Sequence, residues 1–175
     1  MARRAPSRNP CRGAGPWGHT ARVSTPASDA EHLARSARER GLTIAVAESL
    51  TGGALAQALA AAPDASAWFA GGVVAYTVRT KARVLGVPEG PVVTAATARR
   101  MAEGVRGLLA ADLAAAVTGV GGPGEEEGHP PGTVFLAVAT AEGTRVTELA
   151  FDGGPASVVR QTVAATLRAL RAALD

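Results

Sequence analysis

The stretch TIAVAESLTGGALAQALAAAP, residues 43–63, decides how the chain is read. Thr43 to Ala47 is a short apolar run rich in β-branched residues, bounded by Gly41 and by the polar pair Glu48-Ser49, which predicts a buried strand. From Gly52 to Ala62 the composition turns to Ala, Leu and Gln until Pro63 stops it, which predicts a helix. The two are joined by a glycine-rich turn, as in a strand-to-helix unit.

Working outward, Asp29 is a good N-cap for a helix over Ala30 to Arg40, with Leu33 and Ala37 one turn apart and Gly41 as its left-handed terminator. Downstream, Phe69 to Thr77 predicts a second strand, whose Gly71-Gly72 pair signals a bulge or a close backbone approach. A short helix over Arg79 to Leu85 is ended by Gly86 and Pro88, and Thr94 caps a longer one over Ala95 to Ala110. Leu113 to Thr118 predicts another strand. Thr133 to Thr140 and Thr144 to Phe151 flank Ala141-Glu142-Gly143, a hairpin connection. The last helix runs from about Ala156 to Leu174, with Val159, Val163, Leu167, Leu170 and Leu174 covering one face. Helices alternating with apolar strands predict a three-layer α/β/α sandwich, and the late hairpin makes its sheet mixed, though mostly parallel.

The chain has 175 residues, 47% of them hydrophobic and 19% charged, and this balance suits one globular domain over 29–175. The formal charge is +3, but residues 1–28 hold five arginines and no acid, so residues 29–175 carry 13 basic against 15 acidic side chains. The basicity therefore belongs to the tail, whose Pro, Gly, Ser and Arg without apolar periodicity predict disorder. Neither nucleic acid nor membrane is expected as a partner, because aromatics are sparse and no apolar run approaches the roughly 20 residues of a membrane span. A single cysteine, Cys11, makes no internal disulfide, and the expected location is the cytoplasm. The scattered His19, His32 and His129 lack metal-ligand spacing.

Three places gather polar side chains and glycines at strand ends, where open α/β sheets bind ligands. In the first, Ser49 stands at the carboxyl end of its strand, as a nucleophile or as a helix cap. Glu48 beside it is an acid or a first-turn charge matching the helix dipole. The amides of Thr51, Gly52 and Gly53 lie where a helix N-terminus can hold an anion or oxyanion. The second place pairs the chain's one tyrosine, Tyr76, with its one lysine, Lys81. A desolvated lysine can act as a base, which arginine practically cannot; the alternative is a surface amine near a core tyrosine. The third, Thr118-Gly119-Val120-Gly121-Gly122-Pro123-Gly124, leads into a strand rather than a helix. It reads as a glycine nest for a phosphate or ring and not as a dinucleotide fingerprint. The acidic run Glu125 to Glu127 reads as a solvated loop.

Together AESLTGG (47–53), GGVVAYTVRTKARVLGV (71–87), MAEG (101–104), AVTGVGGPG (116–124) and GTVFLAVA (132–139) resemble the CinA C-terminal domain family. The resemblance implies hydrolysis of the carboxamide of nicotinamide mononucleotide to nicotinate mononucleotide and ammonia, without metal or organic cofactor. Ser49 would be the nucleophile, with Tyr76 and Lys81 completing the catalytic group. Lys81 would take the proton of Ser49 directly or through Tyr76. The amides around Thr51 to Gly53 would stabilise the oxyanion, and Thr118, Gly119, Gly121 and Gly122 would hold the ribose phosphate. Where relatives often show Gly-Asp-Arg, this chain has Gly153-Gly154-Pro155, which leaves Arg160 to supply the charge. The competing expectation is a nucleotide-binding module of the same fold without turnover. An apolar face on a small α/β domain further points to a homodimer.

Overall fold

The computed structural model describes residues 25–175. Eleven elements follow one another: helix α1 (Pro26–Arg40), strand β1 (Ile44–Glu48), α2 (Ala54–Ala60), a 3-10 turn (Ala65–Ala67), β2 (Phe69–Val74), α3 (Val78–Leu85), α4 (Ala95–Leu108), β3 (Leu113–Gly119), β4 (Thr133–Ala139), β5 (Thr144–Ala150) and α5 (Pro155–Leu174). The sheet order is β2-β1-β3-β4-β5. β1 pairs in parallel with β2 and β3, while β4 is antiparallel to both β3 and β5. Four strands therefore share one direction and β4 alone is reversed.

The interior strands β1, β3 and β4 are buried almost throughout, whereas edge strand β2 alternates between half-buried and exposed positions. Strand alternation then sorts the side chains into two cores. Ile44, Val46, Leu113, Val117 and Leu136 pack against α1, α2 and α5. Ala45, Ala47, Ala114, Ala116 and Ala137 face α3 and α4. Small side chains on that second face let α4 lie close to the sheet, with Met101 and Val105 filling the space between. This is the three-layer α/β/α sandwich.

Three local readings are corrected. Asp29 does not cap α1: Thr25 does, in a capping box in which its hydroxyl accepts from the Ser28 N–H and the Ser28 hydroxyl accepts from the Thr25 N–H. Asp29 instead lies inside the first turn, fully buried, with its carboxylate 2.9 Å from Arg171 on α5. The helix thus begins three residues before the expected domain boundary, and the rest of the expected tail, residues 1–24, lies outside the described residues. On α5 the buried face runs through Val158, Thr162, Val163, Thr166 and Leu167, and Val159 turns toward a cleft instead. The glycine pair in β2 makes the expected close backbone approach, while the bulge falls beside it at Ala70, between Phe69 and Gly71. A Cβ on Gly72 would meet the Val46 side chain at 2.8 Å.

Candidate active site

β1 lies between β2 and β3, and the connections at its two sides pass on opposite faces of the sheet, through α2 and through α3–α4. The carboxyl ends of these strands therefore open a cleft at a topological switch point. It measures about 580 Å³ and is bounded by Ser49 and Leu50 after β1, Tyr76 to Val78 and Lys81 after β2, Val92 and Val93 before α4, the glycine loop after β3, and Pro155 and Val159 of α5.

Alternation along β1 decides which end residue enters this cleft. Glu48 continues the Ile44–Val46 side and points at α2, where its carboxylate accepts hydrogen bonds from the N–H groups of Gly53, Leu55 and Ala56 at 3.0, 3.1 and 2.8 Å. It caps the helix N-terminus from the strand, with charge and dipole in favourable sense. Ser49 falls on the other side and faces α3.

On α3, Thr77 caps the helix by accepting from the Thr80 N–H, which places Lys81 one turn in and aimed back at β1. Its Nζ lies 2.9 Å from Ser49 Oγ and 3.2 Å from the carbonyl oxygen of Tyr76. Lys81 is 1% exposed and Ser49 8%. Burial pushes the lysine amine below its ordinary range, while the negative charges of Glu126 and Glu127 act in the opposite sense. The arrangement is a hydroxyl against a desolvated amine, which is the geometry of a nucleophile with its base.

The expected site residues divide accordingly. Ser49, Tyr76, Lys81, Thr118, Gly119, Gly121 and Gly122 all border the cleft. Tyr76 does so as a residue 67% exposed, and its carbonyl rather than its hydroxyl meets Lys81, so the amine reaches Ser49 without a relay. The expected pairing of a surface amine with a core tyrosine is inverted. Thr118 is buried, and its hydroxyl donates to the carbonyl of Val92 at 2.8 Å.

Glu48, Thr51, Gly52, Gly53 and Arg160 do not border the cleft. Glu48 is fully buried on the α2 side. The Gly52 N–H donates to the Ser49 carbonyl and the Gly53 N–H to Glu48, so neither is available to an oxyanion. The N–H groups of Leu50 and Gly121 make no hydrogen bond among the described residues. The two residues adjoin, because a Cβ on Gly121 would stand 3.8 Å from that of Leu50. Arg160 is exposed on α5, and no arginine borders the cleft among the described residues.

Sequence reasoning missed the acidic loop. Glu127 is no idle solvated charge: its carboxylate accepts from the N–H groups of Val92 and Val93 at 2.8 and 2.7 Å, fastening one cleft wall to the other. Glu125 and Glu126 border the cleft. The available signal was a run of three acids beside a glycine nest, which by itself is also the pattern of a solvated turn.

The fold and site define an α/β protein with a serine–lysine pair at the carboxyl end of its parallel strands. Residues 27–174 match the family model of the CinA C-terminal domain, and the chain belongs to that family. It is 42% identical over 145 residues to a CinA-like protein of Geobacter sulfurreducens, covering 79% of this chain and 35% of that one. With a CinA-like protein of Frankia casuarinae it shares 41% over 138 residues, covering 76% and 32%. The chain thus spans about a third of the length of these relatives. A solved CinA superfamily protein from Klebsiella pneumoniae superposes with TM-score 0.82 at 34% identity, covering 86% of this chain and 98% of that one. A competence or damage-inducible protein from Enterobacter asburiae gives 0.84 at 32%, covering 87% and 99%.

Proposed function

We propose that the protein is an amidohydrolase that converts nicotinamide mononucleotide to nicotinate mononucleotide and ammonia through an acyl intermediate on Ser49. The observation that carries the reading is the 2.9 Å contact between Ser49 Oγ and the buried, weakened base Lys81. The resemblance of the 47–53, 71–87 and 116–124 segments to enzymes of that activity supplies the substrate.

In this scheme Lys81 accepts the hydroxyl proton as Ser49 Oγ bonds to the carboxamide carbon. The oxyanion is received by the unengaged N–H groups of Leu50 and Gly121. As the C–N bond breaks, the Lys81 ammonium returns its proton to the departing nitrogen, which leaves as ammonia. Water then attacks the ester carbon, Lys81 takes one of its protons, and that proton goes back to Ser49 Oγ as the acid is released. Tyr76 orients the amine through its carbonyl and lends its ring to the mouth of the cleft.

The test is ammonia release by purified protein from nicotinamide mononucleotide, nicotinamide riboside and NAD. Release from the mononucleotide is expected. No release from any of the three, with the mononucleotide still raising Tm, would replace the enzyme by a binding module.

A further inference from the structure

The cleft carries an imbalance of charge that the acylation scheme leaves unused. Among the described residues its formally charged side chains are Lys81, Glu125 and Glu126. Lys81 is at the floor, 1% exposed and engaged with Ser49 and the Tyr76 carbonyl. A ligand in the open part of the cleft therefore meets carboxylates.

Of the three consecutive acids, all exposed, Glu125 and Glu126 border the cleft. The Glu127 carboxylate is committed to the N–H groups of Val92 and Val93. Glu126 precedes that anchor, and its own backbone is closed onto His129 by two hydrogen bonds, N–H to carbonyl in each direction, at 3.1 and 2.9 Å. It is thus carried on a fixed turn at the cleft wall. From α5 the cleft is bordered by Pro155 and Val159, and among the described residues no arginine borders it.

We propose that Glu126 is a specificity-determining residue that selects a positively charged ring, so that the cleft takes N-substituted pyridinium carboxamides in preference to neutral carboxamides of the same shape. The bond that is broken rests on the amidase reading; the charge preference does not. An exposed carboxylate at the wall of the cleft attracts a ring cation and gains nothing from a neutral one.

The experiment compares kcat/KM for nicotinamide mononucleotide and for its 1,4-dihydro form, in which the ring is neutral, using wild type, Glu126→Gln and Glu126→Asp. Using the ratio of the two substrates cancels any change in Lys81 itself. In Glu126→Gln the preference for the charged ring is expected to fall about 2–5-fold, carried by KM, as for an exposed ion pair. Glu126→Asp is expected to retain most of it. An unchanged ratio in Glu126→Gln, including equal loss on both substrates, overturns the proposal. If wild type releases ammonia from neither compound, the amidase reading fails, and calorimetric titration with N1-methylnicotinamide and nicotinamide decides the charge preference. Tighter binding of the cation that weakens in Glu126→Gln supports it; equal binding, or none of either, overturns it.

Discussion

Lys81 and Tyr76 occupy environments opposite to those usual for their types, the lysine 1% exposed and the tyrosine 67%. The lysine is tolerated inside because it has two acceptors, Ser49 Oγ and the Tyr76 carbonyl, and because burial favours its neutral form. An unfolded chain keeps the proton up to about pH 10.4, whereas the folded protein loses it earlier. Across that interval the unfolded state binds more protons, so stability rises with pH there, and the full penalty is present below it. Lys81→Met is accordingly expected to raise Tm at neutral pH, with the gain shrinking toward alkaline pH, while kcat/KM falls by about 10³-fold or more. Thermal melts between pH 6 and 10 beside ammonia assays check this, and a variant less stable at neutral pH would count against a burial penalty on the amine. The identities of Ser49 and Lys81 stood out in the sequence because residue type is local information. Their 2.9 Å contact spans 32 residues and emerges only once β1 and α3 are packed.

At the level of elements, caps and alternation were legible and the contacts between elements were not. Thr94 and the terminators Gly41 and Gly86 act within a few residues of themselves, so helix limits fell within a turn of those expected, whereas Thr77, expected to end its strand, caps α3 after a strand that stops at Val74. Asp29 misled because an acid beside an apolar run is a fair N-cap. The better cap, Thr25, lay in a stretch whose composition suggested disorder. Glu48 misled for the opposite reason: its partners Gly53, Leu55 and Ala56 come from a helix that folds back onto its strand. Gly104 shows how closely elements meet. A Cβ there would collide with the Leu85 carbonyl oxygen, so α4 presses on the end of the helix that carries Lys81. Gly104→Ala is expected to cost about 1–3 kcal/mol by overpacking and to lower kcat/KM by shifting α3. Denaturant unfolding and the ammonia assay measure both, and a variant as stable as wild type would contradict the tight α3–α4 contact.

Over the whole molecule, the two cores differ in grain: large aliphatic side chains lie under α1, α2 and α5, and alanines under α4. The first and last helices are joined across the outside of the larger core by Asp29 and Arg171, at 2.9 Å and 142 residues apart. No local pattern signals a contact of that separation. Arg171→Ala leaves the fully buried Asp29 carboxylate without its partner and is expected to cost about 2–4 kcal/mol. A guanidinium midpoint unchanged from wild type would show the pair to be incidental. The sandwich thereby holds three strand ends in fixed relation, and the site is assembled from segments after β1, β2 and β3 with none sufficient alone.

The central claim is that the Ser49 hydroxyl, deprotonated by Lys81, is the group that attacks the carboxamide. The most direct measurement is the rate of ammonia release from nicotinamide mononucleotide by Ser49→Ala beside wild type, with Tm confirming that both are folded. The account requires release by wild type and a fall of about 10³-fold or more in the variant with Tm little changed. Release at the wild-type rate by folded Ser49→Ala would contradict it.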